Sequence, residues 1–355
     1  MRDARSLPDL PDVLAVEDWA SGWLGDAWLD SVSEHQFHME VVGRAGRPSP
    51  HGVAALAALR RLAAPAELPL LDGMLKILAE SQPLPPWFDV PAFEPVRAWR
   101  AVDVWDSEHV LFVEFAGQFP HTLMAEIELV GGVLVGKLAI LTPDAAESWN
   151  AIGQGPGEGP MPTVEAPVAE VLAELADALR STDMTWPLQD DEDFVALRAL
   201  AWSRSRAHLP DLADREQPDQ TERDRLLNDF DPADRSLAEL FLDYGEGWIT
   251  SGPLYWSPGQ VGLFLTDWLP RKVTLDAEQV AALPGELRRW IRFALHRRGV
   301  EPDWIAPVIQ AVDSYLPSSP RPSPTPRGTR RPSRSPRSCP PAESTSQTRR
   351  QSTKL

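Results

Sequence analysis

The chain has 355 residues, with 34 Lys and Arg against 52 Asp and Glu and a formal net charge of −18. The stretch from Pro317 to Leu355 holds nine Lys/Arg and one acid, Glu343, so residues 1–316 carry 25 basic against 51 acidic residues, a net charge of −26. Such a polyanionic body argues against nucleic acid as its partner, because duplex affinity comes from neutralising phosphates, and the single cysteine, Cys339, excludes an internal disulfide and a cysteine-based zinc cluster.

A body of 316 residues is long enough for one large core or two smaller ones. Fourteen tryptophans, spread from Trp19 to Trp304, mark it as folded, since each buries a large apolar area. The opening MRDARSLPDLPDVLAVEDWA has no continuous apolar run, and the most apolar later stretch, His121 to Leu141, is interrupted by Glu126, Glu128 and Lys137. Neither secretion nor membrane insertion is expected, and a reducing cytoplasm fits best.

The apolar spacing predicts a helix over Asp12 to Leu29, with Val16, Trp19, Trp23 and Trp28 near one face, weakened by Gly22 and Gly25. Two more helices follow, Val53 to Ala64 and Leu68 to Ser81, the second stopped by Pro83, Pro85 and Pro86. The period then changes. VRAWRAVDVW, HVLFVEFAG, HTLMAEIELV and VLVGKLAIL read as four strands, and the Gly131-Gly132 pair is a hairpin turn. These runs predict an antiparallel meander with helices on one face.

GQGPGEGPMP, Gly153 to Pro162, reads as a flexible junction with no phosphate-loop Lys-Ser/Thr after it. Helices are expected beyond it at Val168 to Arg180, Asp191 to Ser203, Arg223 to Phe230, Asp234 to Leu242, Pro258 to Leu269, Pro284 to Arg297 and Pro302 to Tyr315. Capping boxes are expected at Ser257/Gln260 and Asp276/Gln279, and Pro270 is expected to end its helix. The predicted organisation is α+β: an α+β unit at 1–152, a Gly/Pro linker at 153–163, an all-helical unit at 164–316, and a Pro/Ser/Arg tail at 317–355. That tail is either a genuine disordered basic arm or the product of a shifted reading frame.

Several constellations invite chemistry. His35 and His38 form an H-x-x-H pair, but no HExxH or cysteine completes it, and no metal or other cofactor is expected. Asp190 to Asp193 precede an apolar helix and offset the positive end of its dipole, and Asp229, Asp231 and Asp234 read similarly, with Asp231-Pro232 opening a helix and Asp234 at its third position. No GxSxG elbow or other visible nucleophile is present. The segment DYGEGWITSGPLYW offers Asp243, Tyr244, Glu246, Trp248, Tyr255 and Trp256 either as a ligand-facing loop or as aromatic plugs of the core. Arg288, Arg289 and Arg292 share a helix side that suits a phosphate or an acidic partner, or pairs with neighbouring acids.

Two stretches, PPWFDVPAFEPVRAWRAVDVWDSEHVLFVEF and DYGEGWITSGPLYWSPGQVGLFLTDWLPRKVTLDAEQVAALPGELRRWIRFALHRRGV, resemble uncharacterised proteins of high-GC actinobacteria. Those proteins pair an α+β front half with a helical rear half, and the DWLPRKV run is the most specific part of the likeness. The resemblance implies an architecture and no activity. The expected function is a binding or regulatory protein without enzymatic activity that contacts a protein partner. The alternatives are an enzyme using Asp243, Glu246 and His121 for acid/base work, and a nucleic-acid-associated factor acting through the tail.

Overall fold

The computed structural model of the chain describes residues 3–10, 12–45, 48–152, 160–212 and 219–316, so the predicted tail and most of the predicted Gly/Pro linker lie outside the described residues. Four helices open the fold: α1 (Val13–Leu29), α2 (Glu34–Ala45), α3 (Pro50–Leu62) and α4 (Leu68–Ala79). Asp12 starts α1 as its sequence position suggests, its carboxylate accepting from Leu14 N at 2.8 Å. Ser49 does the same for α3, and α3 is buried over nearly its whole circumference from Val53 to Leu59. Its run of alanines lets the neighbouring helices approach closely.

Four strands follow where the period-2 pattern places them: β1 (Glu94–Val102), β2 (Glu108–Ala116), β3 (His121–Glu128) and β4 (Leu134–Leu141). They pair antiparallel in sequence order, and a short fifth strand, β5 (Thr163–Glu165), pairs antiparallel with β1, giving the order β4-β3-β2-β1-β5. Gly131 and Gly132 take the positive φ values of +83° and +151° that the hairpin connection demands.

Helices cover both faces of the sheet, not one. Leu111, Val113 and Phe115 face the front helices, while Val110 and Phe112 face away and pack with Trp99, Met124 and Trp149. Trp149 belongs to α5 (Ala145–Ile152), which caps the second face with its indole 5.6 Å from the Phe112 ring. The physical reason was present in HVLFVEF: a strand apolar at both parities is buried on both sides.

The remaining described helices are α6 (Val168–Asp183), α7 (Glu192–Ser205), α8 (Gln220–Phe230), α9 (Arg235–Trp248), α10 (Pro258–Leu263), α11 (Leu269–Lys272), α12 (Ala277–Arg297) and α13 (Pro302–Tyr315). The cores do not divide at 153–163. Leu172, Leu175, Phe194 and Leu200 of α6 and α7 complete the front core, because the sheet's inner face needs their apolar stripes to cover it. The second core begins with α8 and gathers around Tyr244, Trp256, Phe264 and Trp290. Trp105, from the β1–β2 turn, is sunk into this rear core with Nε1 donating to Trp304 O at 2.9 Å. Residues 1–316 accordingly form one compact unit. No helix among the described residues is long and apolar enough to cross a membrane.

Pro270 does not end its helix. Phe264–Trp268 forms a π turn between α10 and α11, and the chain continues to Lys272. The wider turn moves away the carbonyl that the proline ring would strike, so the ring is accommodated inside the helix.

Gly25, a weak point for helix propensity, sits where α1 crosses α7: a Cβ there would lie 1.8 Å from Val195 O. Gly22, three residues earlier, has nothing within 4 Å of the same added atom. Gly25→Ala is expected to destabilise the full chain by about 3 kcal/mol through overpacking, whereas Gly22→Ala should stabilise it by about 0.5–1 kcal/mol through helix propensity. Urea denaturation of the two variants checks this, and equal effects would contradict the close crossing.

Candidate functional site

The segment Asp243 to Trp256 is not one loop. Leu237, Phe241 and Tyr244 keep the apolar face of α9 running to Trp248, so Asp243 and Glu246 stand on its last two turns. Tyr244 and Trp256 are fully buried in the rear core. The Tyr244 hydroxyl donates to Gln260 Oε1 at 2.7 Å, and burial, with Asp267's charge adding, pushes its pKa up. Gln260 Nε2 donates to Leu129 O at 3.2 Å, so its side chain is turned away from the expected capping box, and only Ser257 Oγ, accepting from Gln260 N, caps α10. At Asp276 and Gln279 both halves of the box form.

Beside this packing lies an open cleft of about 780 Å³, between the Gly131-Gly132 turn, the start of α8 and the end of α9. Asp219, Glu222, Arg223, Glu246 and Trp248 line it. Arg223 bonds both Asp243 and Glu246 and donates to Glu239 O at 3.3 Å. Burial alone would lower the Arg223 pKa, and the two carboxylates outweigh it and raise it. The Trp248 side chain is 40 % exposed. Tyr255 stands elsewhere, under the Arg298 guanidinium at 3.8 Å.

His121 is not with these carboxylates. It begins β3, whereas the cleft lies at the strand's other end, about 23 Å away by the rise of seven strand residues. The ring stacks on Phe115 at 5.4 Å and meets Phe93 edge-on at 4.7 Å. Its Nδ1 bonds Phe119 O at 2.9 Å, its Nε2 is buried with no partner among the described residues, and burial, only partly offset by that bond, lowers its pKa.

The other sequence candidates are largely occupied by structure. Arg288 bonds Asp313 and donates to Pro284 O at 2.9 Å, while Arg289 pairs with Glu286 at 2.8 Å and lies over Phe230. Arg292 is exposed and lines a shallow groove with His296, Ile305 and Ile309. His35 and His38 both turn Nδ1 toward Glu67 Oε2, at 3.1 and 3.4 Å, and no group able to hold a metal is found among the described residues. Asp191 caps α7, and Asp234 caps α9 instead of sitting inside it, while Asp231 closes α8 in a left-handed conformation at φ +49°. Asp229 pairs with Arg297 at 2.7 Å.

Sequence reasoning missed the most deeply buried charges. Glu17 of α1 is 1 % exposed and bridges Arg61 of α3, whose side chain is 10 % exposed, and Arg204 of α7, at 6 %. Arg61 Nε donates to Glu17 Oε1 at 2.8 Å and its Nη1 to Val90 O at 2.8 Å. The Arg204 guanidinium lies 4.9 Å from the Phe93 ring centre and 5.3 Å from that of Phe115, with its Nε buried and without a partner among the described residues. One signal was available: Val13, Glu17 and Leu24 fall at helical spacing on the buried stripe of α1, an acid where an apolar residue is expected.

A second network ties β1 and β2 to α6. His109 of β2 holds Glu174 of α6 through Nδ1 and Asp106 through Nε2 at 2.8 Å, and Arg100 also bonds Glu174. Burial alone would lower the His109 pKa, but the two carboxylates raise it to about 9. Both ring nitrogens are committed, so the imidazolium is a fastening and not an acid/base group.

No family model, curated protein or solved structure matches the chain.

Two outcomes follow from these charges. Glu17→Gln leaves two buried guanidiniums without their counter-charge and should cost about 3–5 kcal/mol in chemical denaturation, against less than about 1 kcal/mol for Asp72→Asn, whose ion pair with Arg60 is solvent-exposed. His109 binds its proton more tightly folded than unfolded. Its contribution is therefore complete below pH 6.5 and lost as the pH rises through about 9. Denaturation midpoints taken across that window should fall for the wild type, and His109→Gln should remove this component of the slope.

Proposed function

We propose that the protein is a binding protein without enzymatic activity, which takes a positively charged segment of a protein partner into the cleft beside the Gly131-Gly132 turn. The observation that carries this is Trp248, an indole left 40 % exposed. It stands in a cleft lined, among the described residues, by Asp219, by Glu222, which also pairs with Arg225 at 2.6 Å, by Glu246, and by the guanidinium of Arg223. That guanidinium is already committed to Asp243 and Glu246. Lys and Arg side chains dock on indole faces and are drawn to carboxylates, and a body charge of −26 steers cations toward such a surface. A reducing cytoplasm suits a chain with one cysteine.

The acid/base alternative loses support from the same geometry. Asp243 and Glu246 share one guanidinium, and His121 stands at the far end of β3. The nucleic-acid alternative rests on residues 317–355, outside the described residues.

Titration calorimetry of the full chain with a Lys/Arg-rich peptide is the test. Binding should weaken at high salt and fall about tenfold in Trp248→Ala, the size of one exposed-to-buried cation–π contact. Equal affinity of the wild type and Trp248→Ala, or equal affinity for an acidic peptide, would overturn the proposal.

A further inference from the structure

We infer that the front half holds a second site, a pocket for a small organic carboxylate with an apolar body, gathered around Arg204 and Arg60. It does not rest on the cleft: it lies at the Phe115 end of the sheet, and the cleft lies at the Gly131 end.

The pocket has a cavity volume of about 370 Å³, in the lower range of small-molecule sites. Three guanidiniums, Arg60, Arg61 and Arg204, and the Glu17 carboxylate line it, and Arg60 also pairs with Asp72 outside the lining. Glu17 spends its two oxygens on Arg61 and Arg204, and Arg61 donates further to Val90 O and Pro91 O. Arg204 keeps an unused donor: its side chain is 6 % exposed, and its Nε is buried with no acceptor among the described residues. A buried donor of that kind calls for an acceptor, and an anionic oxygen is the strongest one available.

The walls decide what carries the anion. Phe88, Phe93 and Phe115 surround the guanidiniums, with Arg60 over Phe88 at 5.6 Å and Arg204 over Phe93 at 4.9 Å. Three rings give an apolar body far more contact than free phosphate could use. The Glu17 carboxylate in the same lining repels a second negative charge, so a monoanion is favoured over a dianion.

The test uses the full chain with benzoate, benzamide and inorganic phosphate as probes, read by thermal shift and calorimetry. Benzoate should raise the melting temperature saturably, with benzamide and phosphate giving no shift. Arg60→Gln, which leaves the Glu17 triad intact, should weaken benzoate binding about tenfold. Ala92→Trp, which fills the pocket and removes no charge, should abolish it, while Trp248→Ala should leave it unchanged. Absence of a benzoate shift, an equal shift with benzamide, saturation by phosphate alone, or wild-type binding in both Arg60→Gln and Ala92→Trp would each overturn the inference.

Discussion

The front half is organised by one buried carboxylate. Glu17 must have partners because an isolated charge in that interior is prohibitive, and the partners it has come from two other helices. Arg61 also holds the carbonyls of Val90 and Pro91, just before β1, so α1, α3, α7 and the entry to the sheet meet at one ion cluster. Such a triad contributes little net stability compared with well-packed apolar groups, but losing one member is severe. Its effect is therefore on register. Two neighbouring contacts, Gly25 against Val195 and the bond from Leu200 N to Ser21 Oγ at 3.0 Å, fix the same α1–α7 crossing.

The rear half relies on aromatic packing instead. Tyr244, Trp256, Phe264 and Trp268 meet at ring distances of 5.1 to 5.6 Å, mostly edge to face, the geometry that ring quadrupoles favour. Polar ends of this cluster reach across to the sheet: Gln260 to Leu129 O, Ser251 Oγ to Asp106 O, and Arg298 to Trp105 O. The contacts hold the two cores together at the sheet's turns, and the cleft opens at one of those turns.

What the sequence made legible was local. The start of α1 at Asp12, the four-strand meander and the Asp276/Gln279 box each depend on residues a few positions apart, and the structure has them. Strand β5 was not legible because three residues show no period, and α5 was masked by the junction that follows it. The end of α9 was misjudged because Gly245 and Gly247 lower propensity, while burial of Tyr244 overrides it. The candidate residues divide for the same reason. Whether an aromatic plugs a core or faces a cleft is set by its position on the helix relative to distant packing, so Tyr244 and Trp248 could not be told apart by composition. The Glu17 triad spans 187 positions between Glu17 and Arg204, and no spacing rule reaches that far.

Charge acts differently in the two places where binding is proposed. An open cleft feels the field of the whole body, so the net −26 and the local carboxylates act in the same direction, and salt screens both, most strongly beyond a Debye length of about 8–10 Å. In the pocket around Arg204 the groups are desolvated, the effective dielectric is lower, and the nearest charges dominate over the distant surface. A polyanionic protein can therefore hold an anion there, provided the guanidiniums are nearer to it than the acids are. Net charge selects what approaches the surface, and burial selects what can be held inside. Sequence composition reports the first of these directly and gives almost no access to the second, and for that reason the front pocket emerges only once the helices are placed.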